Sequence, residues 1–172
     1  MNTSSKRLRI RKLTEEDVTG TYVGWLNDKE VMRFSNQRFI THTMESSLSY
    51  VEGFRDSHNC LLGIFVQEGG AMIGTATIYR SMVHGTADVG LLIGESTQWG
   101  KGYGQEAWEA ITAKLISEPG IRKVTAGTAS PNTGMIRILE KSGMRREAIR
   151  ERQEIIDGSE VDILYYARFT SQ

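Results

Sequence analysis

The spacing of apolar positions changes twice in the first third of the chain. Arg7-Leu8-Arg9-Ile10-Arg11-Lys12-Leu13 places Leu8 and Ile10 on one side and basic residues on the other. That two-residue period predicts a half-buried strand and makes a basic nucleic-acid arm the poorer reading. Thr14 then stands as an N-cap ahead of Glu15-Glu16-Asp17, acids that complement a helix dipole, and predicts a helix to about Leu26, before Asn27-Asp28. Thr43 opens a second helix, with Met44, Leu48, Val51 and Phe54 recurring at helical spacing. Residues 30–42, EVMRFSNQRFITH, show no period and predict a loop able to carry specificity.

Strand patterns follow. LLGIFVQ (61–67) and MIGTATIYR (72–80) flank Glu68-Gly69-Gly70-Ala71 as a hairpin, and ADVGLLIG (87–94) adds a third strand. Ala107, Ile111 and Leu115 repeat at four and mark a helix that ends near Glu118, before Pro119-Gly120. KVTAGTA (123–129) is a further strand, followed by a short helix from Thr133 to Lys141, closed by Gly143. AIRERQEII and VDILYYARF bracket Asp157-Gly158 as a last hairpin. The order β α α β β β α β α β β predicts one α+β domain over residues 1–172, with a mixed sheet of six to seven strands and flanking helices.

Charge removes several functions from consideration. Of the 172 residues, 21 are Lys or Arg and 21 are Asp or Glu, so no global field draws the chain to nucleic acid or to an anionic membrane. No stretch reaches the roughly 18 apolar residues of a membrane span, and MNTSSKRLRI lacks the apolar core of a signal peptide. Cys60, the only cysteine, lies in an apolar run as a buried thiol, which fits a reducing, cytoplasmic setting. His42, His58 and His84 are scattered without ligand spacing, so no metal site is expected and surface positions are the default. Trp25 and Trp108 sit at apolar helix positions and read as core.

The stretch that calls for chemistry is Gln98-Trp99-Gly100-Lys101-Gly102-Tyr103-Gly104-Gln105-Glu106-Ala107, with three alternate glycines between an apolar strand and a helix. Such glycines let the backbone approach a ligand, and the helix N-terminus behind them favours an anion such as a pyrophosphate. The P-loop pattern fails, because Gly-Lys is followed by Gly rather than Ser or Thr. The dinucleotide fingerprint matches weakly from Gly102, with Ala107 in third place, and antiparallel hairpins precede it where a parallel unit belongs.

At QWGKGYGQEA the chain resembles the GNAT acetyltransferases, whose pyrophosphate loop reads Gln/Arg-x-x-Gly-x-Gly/Ala between the fourth strand and third helix. Lys101-Gly102-Tyr103-Gly104 matches the second half of that pattern. Trp99 stands where the pattern has Gln or Arg, a departure shared with a subgroup resembling ribosomal-protein N-terminal acetyltransferases. The resemblance implies acetyl-CoA as co-substrate, its pyrophosphate on Trp99, Gly100, Lys101, Gly102, Tyr103 and Gly104. It places the pantetheine arm against Leu92, Ile93 and Gly94 of ADVGLLIGEST, and a coenzyme contact at Asn132. Leu139-Glu140-Lys141-Ser142-Gly143-Met144 is similar to the run that closes the family's last helix, with Met144 in place of an aromatic residue. Arg137 could reach a coenzyme phosphate, although a solvated helix arginine is the plainer reading.

Acetyl transfer to an amine needs a held donor, a deprotonated amine and oxyanion stabilisation. The resemblance makes Asp88 the first candidate base, where histone-type members carry a strand glutamate, and Glu95 the second. Simple solvation of a strand end or loop competes for each. The position at which many members carry an acidic tyrosine is Leu139 here. WLNDKEVMRFSNQRF, residues 25–39, resembles the opening of family members that acetylate amino sugars on nucleotide carriers. Asn36 and Arg38, with Ser35 and Gln37, are then the acceptor-binding candidates, Arg38 being suited to gripping a phosphate. A small amine of that kind is favoured over a peptide N-terminus; a non-catalytic CoA-binding module is the reading outside the enzymes. A homodimer is compatible with all of them.

Overall fold

The computed structural model describes residues 1–170. Eight strands form one sheet: β1 (Thr3–Ser4), β2 (Leu8–Lys12), β3 (Cys60–Val66), β4 (Met72–Ser81), β5 (Thr86–Ile93), β6 (Lys123–Ala129), β7 (Arg145–Ile156) and β8 (Ser159–Phe169). Their order is β1-β2-β3-β4-β5-β6-β8-β7. The strand beyond the expected seven is the two-residue β1, which pairs with β2 at the sheet edge and is too short to show a period. Four helices, α1 (Gly20–Asn27), α2 (Met44–Glu52), α3 (Tyr103–Ile116) and α4 (Thr133–Lys141), cover the sheet.

Alternation along β3 explains the layering. Leu62 and Ile64 join a core with Trp108, Ile111 and Leu115 of α3 and Leu139 of α4. Leu61 and Phe65 join the opposite core, with Tyr22 and Trp25 of α1 and Val51 of α2. Both faces of β3 are therefore buried, and its sequence is apolar almost without interruption.

The first helix differs from its sequence reading. Thr14 caps only a single 3-10 turn, Glu15–Asp17, and the chain extends at Val18 before Thr19 caps α1. Asp17 is the last residue of that turn. Its carboxylate takes both the Thr14 N–H and a two-pronged bond from the Arg11 guanidinium at 2.6 and 2.8 Å, anchoring the turn to β2. Desolvation pushes the Asp17 carboxyl up, but the hydrogen bonds from Arg11 and Thr14 outweigh it and hold the group below its usual range.

The feature that positions chemistry lies in the middle of the sheet. β5 and β6 are the one parallel pair, joined through α3, and they pair only at Thr86↔Lys123, Ala87↔Val124 and Asp88↔Thr125. Beyond that point they part: β5 stays with β4 as far as Ile93, while β6 follows β8 to Ala129. The β5 edge from Val89 onward has no strand partner on its β6 side. Backbone N–H and C=O groups must be satisfied, so the gap suits a ligand with amides of its own.

Candidate active site

Two structures flank the gap, a glycine loop and a cavity. In the loop, Gly100 and Gly102 have φ of 73° and 82°, values that only glycine adopts cheaply. Gly102 is the N-cap of α3 and offers no side chain to cap it, so the first-turn N–H groups stay available for an anion. Gly104 already belongs to the helix, and a Cβ there would come 3.0 Å from Ile138 Cδ1, so it also brings α3 close to α4. Lys101 is exposed, and its Nζ donates to Gln98 Oε1 at 3.2 Å.

The loop is fastened from behind by a residue that the sequence reading turned to water. The Arg7 guanidinium lies over the Tyr103 ring at 4.2 Å, donates to Lys101 O at 3.0 Å and pairs with Glu106 at 2.6 Å. Glu106 also accepts from the Arg7 N–H and the Ser5 hydroxyl. Desolvation pushes the Glu106 carboxyl up; these hydrogen bonds outweigh it and hold the group below its usual range. Trp99 Nε1 donates to Ile93 O at 2.7 Å, tying the loop to the end of β5. No sequence signal connected Arg7 to a loop that follows it by more than ninety residues.

The remaining coenzyme candidates lie at the end of β5 and on the segment that follows β6. Leu92 and Ile93 end β5, and Gly94 follows them against α1: a Cβ on Gly94 would fall 2.2 Å from the Trp25 ring, so its small size serves packing. Asn132 lies across the gap, where its Oδ1 caps α4 through the Met135 N–H at 3.2 Å. Arg137 is exposed on α4.

The cavity, about 440 Å³, opens on the other face of β5 and has the size of a small-molecule site. Gly90, Leu91 and Leu92 form one wall, so the cavity adjoins the unpaired strand edge. Thr75 and Thr77 come from β4, Tyr22 from α1, and Ser46, Ser47 and Tyr50 from α2. Ser35, Gln37 and His42 come from the loop that showed no period. No Asp, Glu, Lys or Arg lines the cavity. Burial pushes the Tyr22 phenol up to about 12. Desolvation, followed by the 3.2 Å contact with the Tyr79 hydroxyl, pushes the Tyr50 phenol up as well. Ser47 is 2% exposed, and its hydroxyl has no hydrogen-bond partner among the described residues.

Several candidate residues lie outside this cavity. Asp88 stands at the point where β5 and β6 part, exposed, accepting a 2.6 Å hydrogen bond from the Thr125 hydroxyl. Glu95 caps a 3-10 turn, accepting from the N–H and hydroxyl of Thr97. Asn36 donates to Glu154, and Arg38 donates to Ser35 O and Ile155 O, so this pair fastens the loop to β7 while Ser35 and Gln37 face inward. His42 is half-buried in the cavity wall, whereas His58 and His84 are exposed as expected. Among the described residues no cluster of His, Cys, Asp or Glu could hold a metal, and no helix is long and apolar enough to cross a membrane.

Comparison with known proteins agrees with this geometry. The acetyltransferase (GNAT) domain pattern matches residues 7–145. An uncharacterized N-acetyltransferase of Bacillus subtilis, YnaD, is 26% identical over 147 residues, covering 86% of this chain and 84% of that protein. The structure of RimL, a ribosomal L7/L12 alpha-N-protein acetyltransferase in complex with coenzyme A, superposes with a TM-score of 0.82 at 17% identity, covering 96% and 95% of the two chains. A spermidine N-acetyltransferase of Vibrio cholerae, in complex with CoA and spermine, gives a TM-score of 0.85 at 15% identity, covering 96% and 97%. With the domain pattern spanning most of its length, the chain belongs to the GNAT family of acetyl-CoA-dependent N-acetyltransferases.

Proposed function

We propose that the acceptor is a small primary amine with a neutral, hydroxyl-bearing body, an amino sugar on a nucleotide carrier being the favoured kind. The observation that carries this reading is the cavity wall: hydroxyls, an amide, an imidazole and aromatic rings set among leucines, Met32 and Ile40, with no charged side chain. Hydroxyls and Gln37 match the polar groups of a sugar, and the Tyr22 and Tyr79 rings suit its C–H faces. The unpartnered Ser47 hydroxyl supports a ligand that brings a hydrogen-bonding group of its own, because a buried hydroxyl left alone costs about 1–3 kcal/mol. A polyamine carries several positive charges and would meet no carboxylate there. Because Asn36 and Arg38 are engaged with β7, the reading places the amine-bearing ring inside and the carrier diphosphate outside the cavity.

In this reading the acetyl donor extends along the unpaired β5 edge from the glycine loop, so that donor and acceptor meet beside Gly90, Leu91 and Leu92. Single-turnover acetylation of nucleotide-linked amino sugars, α-amino peptides and spermidine, each with acetyl-CoA in place, tests it. Acetylation of the sugars is expected; transfer to peptides or spermidine alone overturns the acceptor class.

A further inference from the structure

The cavity lacks the carboxylate that an acetyltransferase would ordinarily be expected to use as a base, and it holds one side chain that the sequence left on the surface. We propose that His42 is the catalytic base, its Nδ1 taking the proton from the acceptor ammonium directly or through one water. This inference rests on the cavity being the acceptor site.

Three observations carry it. The first is elimination. Among the lining residues only His42 carries a basic ring nitrogen, since the hydroxyls, the phenols and the Gln37 amide offer no comparable lone pair, and burial disfavours ionisation of the Tyr22 and Tyr50 phenols. The second is position: His42 is fixed in place by its own backbone. Asn27, at the end of α1, accepts from the His42 N–H at 2.9 Å and donates to its carbonyl at 2.8 Å, while also donating to Val23 O. A side-chain amide thus clamps the residue from both sides. The third is tautomer. His42 Nε2 lies 3.2 Å from Gln37 O, and a carbonyl can only accept, so Nε2 carries the hydrogen and Nδ1 keeps the lone pair.

Arg38, from the same loop, is bound to Ser35 O and Ile155 O; Glu45, on the first turn of α2, is exposed; Asn27, from α1, is neutral. Proton and electron counts close without another reagent. His42 Nδ1 takes one proton from R–NH3⁺ and frees the nitrogen lone pair, which forms the N–C bond to the thioester carbonyl carbon. The C–S bond breaks with its electrons on sulfur. A second proton shed by nitrogen ends on that sulfur as CoA thiol, the amide keeps the third, and the imidazolium of His42 returns its proton to water.

The test has three arms. Ring-labelled ¹⁵N spectra of the protein without acceptor should show His42 in the Nε2–H form; an Nδ1–H form overturns the proposal. His42→Gln, which can still donate to Gln37 O, should lower kcat by roughly 10²- to 10⁴-fold with KM little changed. The ratio of wild-type to variant kcat/KM should then fall as pH approaches the pKa of the amine, where free amine no longer needs a base; a pH-independent ratio overturns the proposal. Imidazole added to His42→Ala should restore part of the turnover, and Asn27→Ala should lower kcat more than it raises KM. The kinetic arms use whichever amine the wild type acetylates fastest. If that amine is a peptide the sugar reading fails while His42 is still tested; if His42→Gln keeps full turnover on a sugar amine, His42 fails alone.

Discussion

The two sides of the strand gap, donor and acceptor in the proposed reading, are built by opposite means. On the donor side a short, continuous run, Trp99 to Gly104, offers backbone N–H groups whose direction is set by two glycines at positive φ. On the acceptor side, side chains from β3, β4, β5, α1, α2 and one loop are assembled into a wall. A backbone site depends on conformation, so it tolerates changes of side-chain identity and fails when φ is altered. A side-chain site depends on register and packing, so each substitution has its own effect. Trp99 illustrates the first case: its indole ties the loop to the end of β5 through Ile93 O, a structural use of a side chain within a run whose proposed binding groups are backbone.

The largest expected effect comes from the place where the two sides touch. Gly94 follows the last residue of β5, and any Cβ there would intrude on Trp25, a 7%-exposed indole packed with Tyr22 and Leu61, which line the cavity. Gly94→Ala should cost about 1–3 kcal/mol, the usual penalty of overpacking, read as a fall in the thermal midpoint. An unchanged midpoint would mean that the two sides are mechanically independent.

Next is the donor loop itself. A side chain at Gly102 must hold the left-handed region at a cost of about 1–2 kcal/mol, more if β-branched, so Gly102→Val should weaken CoA binding by at least roughly tenfold. Lys101→Ala should weaken it less, because this exposed lysine reaches only Gln98 within the chain. Calorimetric titration with CoA checks both. A lysine effect exceeding the glycine effect would make the loop a charge site, contrary to the comparison.

A still smaller effect belongs to the cavity. Ser47→Ala removes a buried hydroxyl that has no protein partner, so folding stability should stay level or rise. Acceptor KM should nevertheless increase by about the worth of one hydrogen bond, roughly 0.5–1.5 kcal/mol, for hydroxyl-bearing amines and not for their deoxy analogues. Loss of stability without loss of affinity would assign the hydroxyl to the fold instead.

The same division explains what could be read from the chain. The glycine loop, the turns at Gly69-Gly70 and Asp157-Gly158, the α2 cap at Thr43 and the succession of strands and helices were legible because each is a local requirement written in consecutive residues. The acceptor wall was not. Tyr22, His42, Ser47, Thr75 and Gly90 meet only through strand register and helix docking, and no spacing among them announces a site. In the loop the polar composition was informative and the direction was not: Asn36 and Arg38 were favoured for their chemistry, yet along this irregular segment they turn to β7 while Ser35 and Gln37 turn inward. The single helix expected from Thr14 is instead a 3-10 turn and α1, with the chain extended at Val18 beside an Asp17 that Arg11 of β2 holds, a tie that the local spacing does not announce.

The smallest expected effect is the one that most sharpens the contrast. Asp88 occupies the vertex where β5 leaves β6, the position at which family resemblance suggests a base, yet it does not line the cavity. Its Oδ2 accepts a hydrogen bond from the Thr125 hydroxyl at 2.6 Å, a cross-strand tie that holds the two strands together at their last pair. An asparagine keeps the accepting oxygen and loses only the charge and the basicity. If the acceptor side supplies its own base through His42, Asp88→Asn should leave the fold intact and change turnover far less than the roughly 10²- to 10⁴-fold of a general base. The pH dependence of kcat/KM should keep its shape. Should Asp88→Asn instead lower turnover by that larger factor, with the loss shrinking as pH approaches the amine pKa, the proton would leave through the strand vertex. The base would then belong to the donor strand, and the wall of the cavity would serve recognition alone.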